Sequence, residues 1–232
     1  MSADTHIVTP TPEGFTQHVV AHHFDSAEQE FQASKFAFWL FLATEIMLFG
    51  GLFAGYILYH GVYPETFRVA GDTLQWELGA LNTVVLLTSS WTMALGVRAA
   101  QLSQKRKMLT WLSLTIALAG VFMVVKYIEY SGKLGENVGP GMWFNPVAGG
   151  HYAEALAGVP FPNLFFSFYF TMTGIHGIHV LVGMGLITWL VIRGTKGHFH
   201  SGYYTPVDLI GLYWHIVDII WIFLFPLLYL VP

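Results

Sequence analysis

Three short stretches put ionisable side chains inside runs that are otherwise apolar. "FLATEIMLFGGLF" carries Glu45, "TMTGIHGIHVLVG" carries His176 and His179, and "YWHIVDIIW" carries His215 and Asp218. An ionised side chain at the centre of a bilayer costs a few kcal/mol on insertion scales, so such a group needs a partner, a path to water, or a proton. The i, i+3 spacing sets His176 beside His179, and His215 beside Asp218, on one face of each helix. Histidine and carboxylate at this spacing ligate metals or haem in helical bundles. The same groups also suit a proton relay, and most often such residues make hydrogen bonds between helices. Glu45 divides between a structural role, bonding a neighbouring helix or a lipid, and a role in proton uptake.

Two further groups stand nearer the ends of the apolar runs. Lys126 and Glu129, in "VVKYIEYSG", have the spacing of an ion pair at the membrane interface, worth little beyond anchoring. The N-terminal arm carries His6, His18, His22 and His23. Histidine titrates near neutrality, which makes the arm a candidate proton buffer.

These groups need elements to position them. Only 10% of the 232 residues are charged, against roughly 25% in soluble domains, while 54% are hydrophobic. Mean hydropathy is +0.55, so the natural solvent is lipid. Five runs reach the ~20 residues that a spanning helix needs: roughly 36–60, 78–100, 108–129, 163–192 and 206–230. None alternates with a period of two, so the predicted fold is all-α, a polytopic bundle of five transmembrane helices. Residues 1–35 form a polar N-terminal arm, and residues 36–232 the transmembrane domain. In the arm, Ser26 and Gln29 have the spacing of a capping box, which predicts a short interfacial helix. Gly174, Gly177 and Gly183 predict a close-packed seam in the fourth span. The connection at about 130–162 is rich in Gly and Pro and reads as an ordered loop. No cleavable signal is visible in the first 34 residues.

The basic residues set an expected orientation. The N-terminus shares one side with the second and fourth loops, where Lys35, Arg98, Lys105, Arg106, Lys107, Arg193 and Lys196 lie. Arg68, Lys126 and Lys133 lie on the other side. The positive-inside rule then places the N-terminus in the cytoplasm and the C-terminus outside. At ~1.5 Å per residue, Glu45, His176, His179, His215 and Asp218 all fall in one broad mid-membrane layer. The absence of cysteine excludes thiolate metal sites, iron–sulfur clusters and disulfides in this chain. A net charge of −4 gives no sign of nucleic-acid binding.

Taken in order, several blocks resemble one family over about residues 31–231: subunit III of the haem–copper terminal oxidases. "FLATEIMLFGGLFAGY" looks like the family's glutamate-bearing span, and "LNTVVLLTSSWTM" like the span after it. Glu129–Tyr130 has the family's place at the end of the third. "TGIHGIHVLVG" and "YWHIVDIIWIFLF" look like its last two spans and are the most specific pair. The long form of the family has seven spans, and the resemblance here is to the five-span bacterial form. The missing pair of helices is then expected on another chain.

The resemblance implies an accessory role in the bacterial cytoplasmic membrane. The chain would hold no haem and no copper, which belong to partner subunits I and II. It would pack on subunit I, with subunit II and a small subunit IV as further partners, and bind phospholipid. Its task would be to support proton uptake and turnover in a proton-pumping oxidase that reduces dioxygen with electrons from cytochrome c. The family's intramembrane glutamate falls on Glu45, while His176, His179, His215 and Asp218 become interior structure. A quinol oxidase and the homologous subunit of nitric oxide reductases are the neighbouring readings. From a different class, a polar layer that ligates haem or metal would make the chain itself a redox protein. A transporter would instead need broken helices or inverted repeats, and the sequence has neither.

Overall fold

The computed structural model describes residues 11–230; His6 lies outside them. Among the described residues seven α-helices follow one another: α1 Ala27–Val62, α2 Pro64–Asp72, α3 Trp76–Gln101, α4 Lys105–Gly135, α5 His151–Ala155, α6 Pro162–Thr195 and α7 Thr205–Phe225. A π-helical turn, Pro226–Leu230, continues α7. Among the described residues there is no strand, only two isolated bridges. Among the described residues five helices, α1, α3, α4, α6 and α7 with its last turn, are long and apolar enough to cross a membrane. They match the five predicted runs; α1 starts well before its run, α4 continues several residues past its own, and the remaining ends agree closely.

The largest extension is at α1. Ser26 Oγ accepts the N–H of Gln29 (3.1 Å), which satisfies one of the unpaired donors of the first turn. The Gln29 side chain reaches back to the N–H of Asp25 (2.6 Å), one residue before the position a capping box would use. The helix started there does not end at the membrane surface. It continues unbroken to Val62, so the expected short helix of the arm is the first part of the first span. At ~1.5 Å per residue α1 is about 54 Å long, well beyond the ~30 Å hydrocarbon core.

The chain divides into two compact units. The first holds the arm and α1 up to Glu45, Thr88–Leu118, and Val182–Ile216. The second holds Ile46–Leu87, Ala119–Leu181, and the chain from Val217 on. In the first unit the described part of the arm, from residue 11, is strapped down at Thr16 and His18. Thr16 donates its backbone N–H to Gly197 O (3.0 Å), His18 meets Glu30 (2.9 Å), and the His18 ring stacks on Tyr203 at 3.6 Å. Ser103 Oγ accepts the N–H of Ser201 (2.9 Å), tying the α3–α4 turn to the α6–α7 loop. At Gly183 of α6, an added Cβ would lie 2.7 Å from the Trp214 ring of α7. That is the close approach the glycine seam predicted.

In the second unit α2 packs Phe67 and Ala70 inward, and Thr66 Oγ donates to Pro160 O (2.7 Å). The α4–α6 connection is ordered by its own backbone. Asn145 donates to Asn137 O (2.9 Å) and Val147 to Glu136 O (3.1 Å). The remaining glycines of the expected seam behave differently. A Cβ on Gly177 would meet nothing within 4 Å, and one on Gly174 only the Tyr130 hydroxyl at 3.8 Å. They floor a groove of about 230 Å³ between α4 and α6, walled by Tyr127, Ile178 and Leu181. Close helix packing therefore falls on Gly183 and not on its two neighbours.

This contrast is testable by paired substitution. Gly183→Val forces a branched side chain into Trp214 and should cost ~1–3 kcal/mol of stability. Gly177→Val projects into open space and should leave the unfolding midpoint in detergent close to that of the parent. Equal losses for both would contradict the packing described.

Candidate functional site

The sequence-selected residues fall into separate groups. Glu45, in α1, is half-buried in the first unit. Four residues before it, Phe41 stacks on Tyr213 of α7 (6.3 Å, 22°). His215 shares that unit. Its Nδ1 lies 2.7 Å from Ser90 Oγ of α3, and the neighbouring Trp214 donates its Nε1–H to Ser89 Oγ (3.0 Å). One turn of α3 thus receives two consecutive side chains of α7.

His176, His179 and Asp218 belong to the second unit. The His176 ring is fully buried, edge-on to Phe122 (5.6 Å, 76°) and tilted against Trp221 (5.2 Å, 34°). Among the described residues neither of its nitrogens has a hydrogen-bond partner, and aromatic packing holds the ring. His179 Nδ1 lies 2.8 Å from Ile175 O of its own helix, and the ring meets Phe49 of α1 at 5.4 Å. Asp218 is buried. Among the described residues, no three His, Asp or Glu are grouped closely enough to hold a metal ion.

The densest polar constellation lies elsewhere, around Glu129. The sequence suggests an interfacial ion pair worth little beyond anchoring, but the side chains of Lys126, Glu129 and Lys133 are only 8%, 2% and 3% exposed. Lys126 Nζ donates to Glu129 Oε2 (2.8 Å) and Lys133 Nζ to Glu129 Oε1 (3.0 Å). Two tyrosines complete the shell. Lys126 also donates to Tyr169 OH of α6 (3.2 Å) and to Tyr229 OH (3.0 Å), and the Tyr229 hydroxyl donates to Glu129 Oε1 (2.7 Å). The Lys126 ammonium stands 5.1–5.7 Å from the rings of Tyr130, Tyr169, Trp221 and Tyr229. Each such cation–π contact contributes about 0.5–2 kcal/mol depending on desolvation.

Lys133, Tyr169 and Tyr229 were not among the residues singled out from the sequence. The signal available was the spacing of Lys126, Glu129 and Lys133, at i, i+3 and i+7, which sets all three on one face of α4. The tyrosines had none, because they arrive from other helices. A polar cavity of about 390 Å³ opens beside Glu129 and Lys133, lined also by Glu136, His151, Tyr152 and Gln75. The Tyr152 hydroxyl, outside the spans, is pushed up to about 12 by burial and then by the nearby Glu136 and Glu129 charges, so it keeps its proton.

Removing one member of a buried ion pair strands the other, at about 3–5 kcal/mol. Glu129→Gln leaves two buried ammonium groups without a counter-charge and should lower stability by about that amount. Tyr229→Phe removes a hydrogen bond to a charged group and should cost less, roughly 1.5–3 kcal/mol. Equilibrium unfolding in mixed detergent micelles would read both, and a Glu129→Gln loss smaller than that of Tyr229→Phe would contradict the network.

Comparison with known proteins places this arrangement. Residues 141–231 match the family model for cytochrome c oxidase subunit III. Cytochrome c oxidase subunit 3 of Thermostichus vulcanus is 32% identical over 192 residues, covering 82% of this chain and 84% of that protein. A probable quinol oxidase subunit 3 of Staphylococcus haemolyticus is 31% identical over 210 residues, 89% of this chain and 93% of its own length. Cytochrome bo(3) ubiquinol oxidase subunit 3 of Pseudomonas aeruginosa is 28% identical over 218 residues, 92% of each chain.

Proposed function

Since the chain belongs to the subunit III family of the haem–copper oxidases, we propose that it is the non-redox subunit of a proton-pumping respiratory oxidase that reduces dioxygen to water. The haems and copper are held by subunits I and II. This chain packs on subunit I in a bacterial cytoplasmic membrane, with its N-terminus on the cytoplasmic side. Subunit II and a small subunit IV complete the assembly, and phospholipid fills the surfaces between them.

One observation carries the role assigned to Glu45. Its carboxyl lies within a 36-residue apolar helix, half-buried, one turn from the contact of Phe41 with Tyr213 of α7. An ionisable group at that depth is expensive unless it exchanges protons or holds them. We assign it to proton uptake into the partner subunit. His176, His179, His215 and Asp218 hold the bundle interior, by the ring packing of His176 and the Ser90–His215 bond.

Cytochrome c is the donor in this reading. Quinol is the second, favoured by the longer alignments to quinol-oxidase relatives, 89% and 92% of this chain against 82% for the cytochrome c relative. The purified complex decides between them by which reductant sustains oxygen consumption.

Glu45→Gln keeps the shape of the side chain and removes its acid. The expected outcome is an intact complex of unchanged subunit composition whose pumping or sustained turnover falls several-fold. Equal turnover and pumping in the variant would remove Glu45 from proton uptake and leave it a structural role.

A further inference from the structure

One segment of the second unit is unexplained by packing or by the oxidase reading. From Asn137 to Gly150 the chain reads "NVGPGMWFNPVAGG", with no charged residue between Glu136 and His151. Within it a 3₁₀ turn, Gly141–Trp143, presents two large apolar side chains outward. Met142 is 91% exposed and Trp143 70%. A loop that faces water does not ordinarily show this pattern, because turn and loop residues there are polar.

The exposure is built in by the way the turn is fastened. Gly141 adopts φ +58°, a conformation open to glycine and strained for most other residues. Its N–H donates to Ser167 Oγ of α6 (2.9 Å), and that hydroxyl donates in turn to Asn163 O (2.6 Å). Immediately after the turn, Phe144 stacks on Phe166 of α6 (5.5 Å, 24°), and Val138 pairs with Phe144 across a bridge. Both flanks are therefore pinned while the tip stays out.

The anchor also fixes the depth. Ser167 lies five residues beyond Pro162, the first residue of α6, or ~7.5 Å along its axis. The 34-residue α6 is about 51 Å long, some 20 Å more than the hydrocarbon core, so a centred α6 leaves ~10 Å at each end in the headgroup layer. Ser167 then sits within a few ångströms of the acyl boundary, the layer in which tryptophan is enriched. The same stripe of α6 continues inward at helical spacing through Phe170, Gly174, Ile178 and Leu181. The last three line the groove beside α4, where Ile178 and Leu181 are exposed. The tip is thus continuous with an apolar face of a spanning helix.

We propose that the Gly141–Trp143 turn is a membrane-dipping wedge that inserts Met142 and Trp143 into the boundary between lipid headgroups and acyl chains. A docking face for another subunit would carry a polar or charged rim around its apolar centre. Here fourteen consecutive residues carry no charge, which fits lipid. The wedge anchors one end of α4 and α6 to the bilayer surface. It depends on the chain being a membrane protein, and not on the donor of the oxidase or on Glu45.

The chain has no cysteine, which makes the test direct. Met142→Cys, and Glu154→Cys on the exposed surface of α5 as a reference, are labelled with a nitroxide in the full chain and in the purified complex. The unsubstituted complex is subtracted as background. In phosphatidylethanolamine–phosphatidylglycerol nanodiscs, a label at 142 should collide often with oxygen and rarely with a water-soluble nickel chelate. Its oxygen-to-nickel ratio should be several-fold above that at 154. A ratio at 142 equal to that at 154 means a water-exposed tip and overturns the proposal. Low collision with both reagents in the complex means a subunit covers the turn, and overturns it as well. Since Met142 makes no buried contact, its replacement leaves the fold available for either reading.

Discussion

A single carboxylate, Glu129, organises the second unit. Two ammonium groups from its own helix and a tyrosine hydroxyl from the end of the chain converge on it, and a second tyrosine from α6 binds Lys126. These charged side chains are almost wholly buried, so each must find its partners inside the protein. The requirement is stringent because it is mutual. Moving α4, α6 or the last turn of the chain by one residue would break several charge-assisted hydrogen bonds together, which specifies one register among otherwise interchangeable apolar helices.

Within the spans of the first unit, hydroxyl hydrogen bonds join the helices. Ser89 and Ser90 of α3 receive Trp214 and His215 of α7, and Thr92 bonds Thr115 of α4 at 2.8 Å. Each bond is modest, of the order of 1 kcal/mol. Close packing supplies the rest: a Cβ on Gly183 would strike Trp214, and one on Gly211 would lie 2.9 Å from Val97. With hydrocarbon outside, apolar contact between helices has no solvent drive of its own, so tight fit and internal hydrogen bonds decide association. α7, half of whose apolar window is buried, takes part in both units, whereas only 11% of that of α1 is buried. A spanning helix so little covered by its own chain has lipid or a partner subunit as its neighbour.

The number, kind and approximate ends of the spans were legible because they depend on local composition alone. A run of ~20 apolar residues is a helix wherever it lies in a bilayer. Boundaries shifted where a local cap acted, as at Ser26, which starts α1 well before the apolar run begins. The site was legible only in part. Glu45, His176 and Asp218 could be selected because an ionisable residue in an apolar run is conspicuous. Lys126 and Glu129 were selected for their spacing, but burial of a helix end depends on what the α4–α6 connection and the end of the chain fold over it.

By itself, then, the sequence determined the class of molecule, its five spans, the candidate carboxyl Glu45 and the family resemblance, because each is written in consecutive residues. The tertiary structure alone decided which polar groups meet: Tyr169 and Tyr229 around Lys126, Ser90 against His215, and Met142 and Trp143 left outside. Those pairings join residues from 43 to more than 100 positions apart. No periodicity in one segment reports on a neighbour that only folding brings to it.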